Sequence, residues 1–173
     1  MINVSDPRVV HVLQGQVVAT AAPSQILTTI LGSCISACMR DPVLRLGGMN
    51  HFLLPGDDPR KSNSIRYGAR SMEELINALL RKGAARDRLE VWLFGGADLL
   101  RMGTGVGEAN CAFATAFVET EGFSLRGTDL GGSRGRRVRF CPYTGEISIR
   151  LMQTAPVERR VAPRMSCPDV ELF

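Results

Sequence analysis

Imidazole is scarce in this chain. His11 and His51 are the only histidines among 173 residues, so chemistry that needs a base titrating near neutrality has two places to reside. Aromatic residues are also few, 6% of the chain with a single tryptophan. No recognition-helix or base-stacking motif accompanies the arginines, which argues against nucleic-acid binding. Long apolar runs are missing, so no membrane insertion is expected. The opening stretch MINVSDPRVVHV has no basic start, no apolar core and no small-residue cleavage site. The expectation is a cytoplasmic protein without a secretion signal. Paired Cys-x-x-Cys motifs are absent, which disfavours structural zinc. Gly103, Gly105 and Gly107 alternate, but no Lys-Ser/Thr ending of a phosphate-binding loop follows. Neither a metal nor an organic cofactor is expected.

What is present belongs to an ordinary globular domain: 45% hydrophobic and 22% charged residues, in a chain long enough for one real core. Five cysteines, Cys34, Cys38, Cys111, Cys141 and Cys167, form an odd set that fits free thiols in a reducing compartment. Most are expected to be small buried hydrophobes. The net charge of +4 is weighted toward the C-terminal third through Arg134, Arg136, Arg137, Arg139, Arg159, Arg160 and Arg164. That clustering reads as a solvated strand face plus a basic tail, or as a docking surface for an acidic protein.

Along the chain, residues 9–19 read as two short strands with a turn at Gln14-Gly15-Gln16, and residues 26–31 as a third strand. Extended chain resumes at residues 35–39 and ends at Asp41-Pro42. Gly47-Gly48 reads as a bend before a strand over 49–54. Residues 55–64 (PGDDPRKSNS) predict a polar loop. Met72, Leu75, Ile76, Leu79 and Leu80 recur at helical spacing, so a helix is expected within 65–82, and Ser71 with Glu74 fits a capping box for its main part. Residues 89–94 read as a buried strand, 108–120 as a second helix, and 125–130 as another strand. Residues 138–150 read as a hairpin turning at Thr144-Gly145. These elements predict one α/β domain over residues 1–153, with a mostly antiparallel or mixed sheet and two main helices, followed by a Pro-containing basic tail over 154–173.

Two segments concentrate the chemistry. TTILGSCIS places Cys34 after a Gly-Ser turn, and GGMNHFLLP places His51 among short apolar segments. A thiol needs a neighbouring base to become an efficient nucleophile, and imidazole is the usual one. A buried structural role is the ordinary fate of a lone cysteine or histidine. Gly32-Ser33 allows a tight turn that presents Cys34 outward and aims backbone amides at a developing negative charge. His11 has no such turn glycine beside it, so His51 is preferred.

These residues sit in a wider pattern. TTILGSCISACMRDP, GGMNHFLLP, RYG-x-x-x-M-x-x-L-I, FGGAD and DLGGSRGRRVRF-x-x-x-TGE occur in that order over residues 9–150. Together they resemble the CheD family, the chemoreceptor glutamine deamidases of bacterial and archaeal chemotaxis. The resemblance implies an α/β sandwich shared with deamidating bacterial toxins. It implies hydrolysis of receptor glutamine side chains to glutamate, with methyl-ester hydrolysis in some members. The family's nucleophile maps onto Cys34, its histidine onto His51, and its threonine, six residues before the cysteine, onto Thr28, with Thr29 adjacent. Implied partners are the helical cytoplasmic parts of chemoreceptors, as substrate, and a CheC-type phosphatase. The alternative reading is a regulatory module that binds such a phosphatase with or without catalysis. The extended arginine-bearing C-terminus departs from the family pattern.

The chemistry expected of such a site is acyl transfer. A free thiol is only about 3% ionised at pH 7, so proton removal by His51 matters. Gly32 and Ser33 shape the turn, and amides near Ser33 and Cys34 are expected to meet the oxyanion. Residues 55–64 and 103–107 are expected to border a shallow groove that accepts a protruding side chain.

Overall fold

The computed structural model describes residues 8–54, 62–101 and 103–153. Most of the predicted 55–64 loop and the 154–173 tail therefore lie outside the described residues. Among the described residues, nine strands and two α-helices follow one another: β1 (Val9–His11), β2 (Val17–Thr20), β3 (Ile26–Leu31), β4 (Ile35–Asp41), β5 (Leu46–Asn50), α1 (Ser62–Arg81), β6 (Glu90–Gly95), α2 (Val106–Thr120), β7 (Ser124–Leu130), β8 (Arg136–Cys141) and β9 (Glu146–Leu151). The strands divide into two sheets, ordered β1-β3-β8-β9 and β2-β5-β4-β6-β7. Antiparallel pairings dominate both, with parallel contacts between β1 and β3 and between β6 and β7.

Strand β4 shows why the layers stack as they do. It occupies the middle of the five-stranded sheet, and successive side chains leave it on opposite faces. Ile35, Ala37 and Met39 join Met72, Leu75, Ile76 and Leu79 of α1 in one core. Cys38 turns the other way and joins Leu27, Leu31, Val138 and Phe140 of the four-stranded sheet in a second core. The fold is thus three layers deep, helices over sheet over sheet. A strand buried on both faces has no need of a polar alternation, and the run ISACM, with Ser36 its one polar member, is buried throughout.

Three local readings are revised by the structure. Gly47 and Gly48 are not a bend but the interior of β5. A Cβ on Gly47 would lie 2.6 Å from the Met39 carbonyl oxygen, and one on Gly48 2.6 Å from that of Val18. The glycines let three strands and α1 close up. The 49–54 strand accordingly begins and ends earlier, and His51 stands just beyond it. The capping box at Ser71 is not a helix start, because Ser71 is buried in the middle of α1. Its Oγ instead accepts a hydrogen bond from Asn50 Nδ2 at 3.4 Å. Finally, residues 62–64 do not continue the loop: Ser62, Asn63 and Ser64 open the first turn of α1.

The arginine cluster also divides. Arg137 is exposed on the outer sheet, whereas Arg136 is buried. Its guanidinium donates to the Asp129 and Gly131 carbonyls and pairs with the Asp129 carboxylate at 2.9 Å. It therefore latches the turn between β7 and β8 rather than facing solvent. No helix among the described residues is long and apolar enough to cross a membrane.

Candidate active site

Strand register sets Cys34 and His51 on the same face of the sheet. Ile35 and Phe52 exchange backbone hydrogen bonds of 2.8 Å and 2.9 Å. The same register pairs Cys38 with Met49, so Ser36 stands opposite His51 and Cys34 is its diagonal neighbour on the same face. Diagonal neighbours in an antiparallel ladder are separated by about 7–8 Å at Cα, within reach of their side chains. That face looks toward the second sheet, at the end of the sandwich where the β1–β2 turn crosses over. The turn is pinned to the histidine backbone: Gly15 N donates to His51 O at 2.7 Å, and His51 N to Gln16 O at 3.2 Å.

The imidazole is held in one orientation. His51 Nδ1 lies 2.8 Å from Thr29 Oγ1 and 3.2 Å from the Val12 carbonyl oxygen. Thr29 Oγ1 donates its own proton to Val12 O at 2.7 Å. A carbonyl only accepts, and the hydroxyl proton is already used, so the proton between these groups must come from Nδ1. Nε2 then carries the lone pair. It is buried and has no hydrogen-bond partner among the described residues. Burial lowers the His51 pKa below its ordinary 6.5, partly offset by the Val12 carbonyl. The ring is consequently neutral at physiological pH, with Nε2 open to accept a proton.

The threonine that does this is Thr29, not Thr28. Adjacent strand residues face opposite ways. Thr28 Oγ1 is turned to the neighbouring strand and donates to Val138 O at 2.8 Å. Spacing from the cysteine points to Thr28, but the facing of β3 sets Thr29 against the histidine.

Cys34 is partly exposed, with its Sγ 3.8 Å from Gln14 Oε1. Cys38 and Cys111 are weaker nucleophiles. Burial pushes Cys38 far up, with the Ser36 hydroxyl only partly offsetting it, and burial also raises Cys111. Of the four described cysteines only Cys38 is fully buried, fewer than expected.

The turn before Cys34 rests on a platform from β6 and α2. Ala97 N donates to Gly32 O at 2.9 Å, and Gly96 N to Cys34 O at 2.9 Å. Asn110 Nδ2 donates to Ser33 O at 2.8 Å. All three carbonyls of the Gly32-Ser33-Cys34 segment are thereby tied to one side. In a trans peptide the following N–H points the opposite way, so the Ser33 and Cys34 amides are directed away from the platform. Asn110, Gln14 and the Gly95-Gly96 pair are not legible as site residues in the sequence. Asn110 does carry a signal, being the polar member of the buried α2 stripe Gly107, Asn110, Ala114 and Val118.

Among the described residues, two hollows bear on the site. The larger, about 580 Å³, lies between the helices along Leu54, Ile65, Phe113 and Phe117, and neither Cys34 nor His51 lines it. The smaller, about 340 Å³, is bordered by Gly96, Gly103, Gly105, Gly107 and Cys111. It adjoins the platform beneath Cys34 through Gly96.

Comparison with known proteins identifies the family. The family described as CheD chemotactic sensory transduction matches residues 53–151. A protein of Jannaschia sp. (strain CCS1) is 57% identical over 165 residues, covering 95% of this chain and 94% of its own. The chain belongs to the CheD family. That Jannaschia relative is named "Probable chemoreceptor glutamine deamidase CheD". So are CheD proteins of Caulobacter sp. (strain K31), 48% identical with coverage of 95% and 92%, and Agrobacterium fabrum, 42% identical with coverage of 95% and 96%. Among solved structures, Bacillus licheniformis hypothetical protein YfiH is similar with a TM-score of 0.41 at 14% identity, over 65% of this chain and 49% of that one. Neisseria meningitidis protein NMB0706 gives 0.45 at 12% identity, over 72% and 62%. The family match begins at residue 53, just past His51 of this CheD chain, and so includes neither Cys34 nor His51.

Proposed function

We propose that this chain hydrolyses glutamine side chains of chemoreceptors to glutamate, with Cys34 as nucleophile and His51 as its base. The observation that carries the reading is the locked imidazole, its Nδ1 tied to Thr29 and Val12 and its buried Nε2 unpartnered among the described residues, one diagonal step from a partly exposed thiol. Nε2 takes the thiol proton as sulfur attacks the carboxamide carbon. The Ser33 and Cys34 amides stabilise the oxyanion, each such donor being worth about 3 kcal/mol in comparable sites. His51 returns the proton to the departing ammonia, leaving a thioester. The same nitrogen then deprotonates water, which releases glutamate and restores the thiol. Thr29 acts on the ring and not on the substrate; it is a positioning residue.

The test is incubation with a chemoreceptor cytoplasmic fragment, followed by mass spectrometry of its peptides. Selected glutamines gain about one dalton with the backbone intact, as hydrolysis of a side-chain amide requires. Unchanged glutamines across the fragment would reject the activity. This reading places the protein in the cytoplasm, beside the receptor helices it modifies. A purely regulatory module for a CheC-type phosphatase would instead leave the receptor unmodified while retaining that partner in a pull-down.

Two further outcomes are expected. Thr29→Val lowers kcat by about 10- to 100-fold, as loss of an orienting partner does. Thr28→Val leaves kcat within about threefold, since its hydroxyl only bonds a neighbouring strand. Equal losses, or the reverse order, would return the role to Thr28. In the pH profile, kcat/KM falls on the acid side as Nε2 becomes protonated. Because burial lowers the His51 pKa, that limb has its midpoint below the ordinary 6.5. A midpoint above 6.5 would contradict a buried neutral base.

A further inference from the structure

Asn110 is fully buried and uses both ends of its amide. Nδ2 donates to Ser33 O at 2.8 Å, and Oδ1 accepts from Leu54 N at 3.1 Å. The first contact holds the peptide that precedes the nucleophile. The second holds the segment that leaves His51, because Leu54 follows it by three residues. Both contacts come from one side chain on α2. A buried amide is retained at a core position only when its groups are satisfied, and here the partners belong to the two halves of the site.

The Ser33 carbonyl and the Cys34 N–H share one planar trans peptide. Fixing the carbonyl toward Asn110 therefore fixes the amide in the opposite direction. The Gly32 and Cys34 carbonyls flanking it are anchored by Ala97 and Gly96, but those are backbone donors that follow from sheet closure. Asn110 is the side chain that decides how this particular peptide is turned.

We infer that Asn110 is a positioning residue for acyl transfer: it aims the Cys34 amide at the oxyanion and holds the cysteine turn in register with the histidine segment. The inference rests on the Cys34–His51 reading and adds a residue that neither touches substrate nor moves a proton. A role of this kind separates two reactions of the same sulfur. Attack on an amide builds an oxyanion and needs the aimed N–H. Alkylation by iodoacetamide displaces iodide at a saturated carbon, builds no oxyanion, and needs only a reachable thiol.

The experiment measures both reactions in the full chain for Asn110→Asp and Asn110→Ala. The aspartate keeps the acceptor for Leu54 N but sets an oxygen against the Ser33 carbonyl. The alanine removes both contacts without adding a buried charge, so it serves if the aspartate variant does not fold. Expected is a fall in glutamine deamidation of about 30-fold or more in kcat, with KM and the rate of Cys34 alkylation each within about threefold of the parent. Deamidation within about threefold of the parent would overturn the inference, since an oxyanion donor is worth more than that. So would deamidation and alkylation falling together, which marks general disruption of the fold. Failure of the underlying reading looks different: the parent itself would keep its activity after Cys34 is replaced.

Discussion

Cys34→Ala is expected to abolish glutamine deamidation, lowering the rate by about 10⁴-fold or more, while the protein remains folded. The size follows from the chemistry. Without the sulfur no thioester forms, and the surviving oxyanion donors and substrate binding supply only the residual acceleration that such sites retain when the nucleophile is lost. The neighbouring thiols do not substitute. Burial raises both Cys38 and Cys111, and Cys38 lies in the core between the sheets. The fold survives because Cys34 is only partly buried and alanine removes a single atom from it, a change expected to cost about 1 kcal/mol or less. Deamidation assayed by mass spectrometry beside a thermal melt separates the two effects. Retained activity in a folded Cys34→Ala protein would remove the nucleophile from the account.

Gly95→Ala is expected to damage both stability and rate. Gly95 has φ of 112°, in the region where side chains are strained. A Cβ built there would collide with the Cys34 carbonyl oxygen, a backbone atom that cannot swing aside. Relieving that clash must lift the cysteine turn from the β6 edge, where Gly96 N now holds Cys34 O. Backbone strain and overpacking together amount to about 3 kcal/mol, and displacement of the sulfur by about 1 Å costs roughly 100-fold in rate. Gly103→Ala is the control. Gly103 also has positive φ, 59°, but nothing lies within 4 Å of its added Cβ, so strain alone applies, about 1 kcal/mol. Denaturant melts and kcat on the two variants check the contrast. Similar behaviour of the two glycines would mean that the platform does not position Cys34.

Much of this is readable in the sequence because the signals are local. The helical recurrence of Met72, Leu75, Ile76 and Leu79 and the apolar run at residues 89–94 each specify an element by their own period. The Gly-Ser turn before Cys34 and the rarity of histidine single out the pair proposed to react. What escapes depends on facing and on contacts distant in the chain. Thr28 and Thr29 are chemically identical neighbours, and only the pairing of β3 with β8 decides which hydroxyl reaches His51. Gly47-Gly48 resembles a bend because close packing among β2, β4 and α1 demands the same residue as a turn does. Arg136 resembles its exposed neighbours, but a carbonyl-lined pocket at the β7–β8 turn takes it inside. Asn110 contacts residues 77 and 56 positions away, a relation that no local pattern encodes.

The central claim is that the sulfur of Cys34 is the group on which turnover depends. Its most direct test is partial alkylation of the active protein with iodoacetamide, mapping every cysteine by mass spectrometry and assaying deamidation of a chemoreceptor fragment at each time point. The account predicts that remaining activity falls in direct proportion to unmodified Cys34 and reaches zero when that residue is fully labelled. Activity persisting with Cys34 completely alkylated would contradict it.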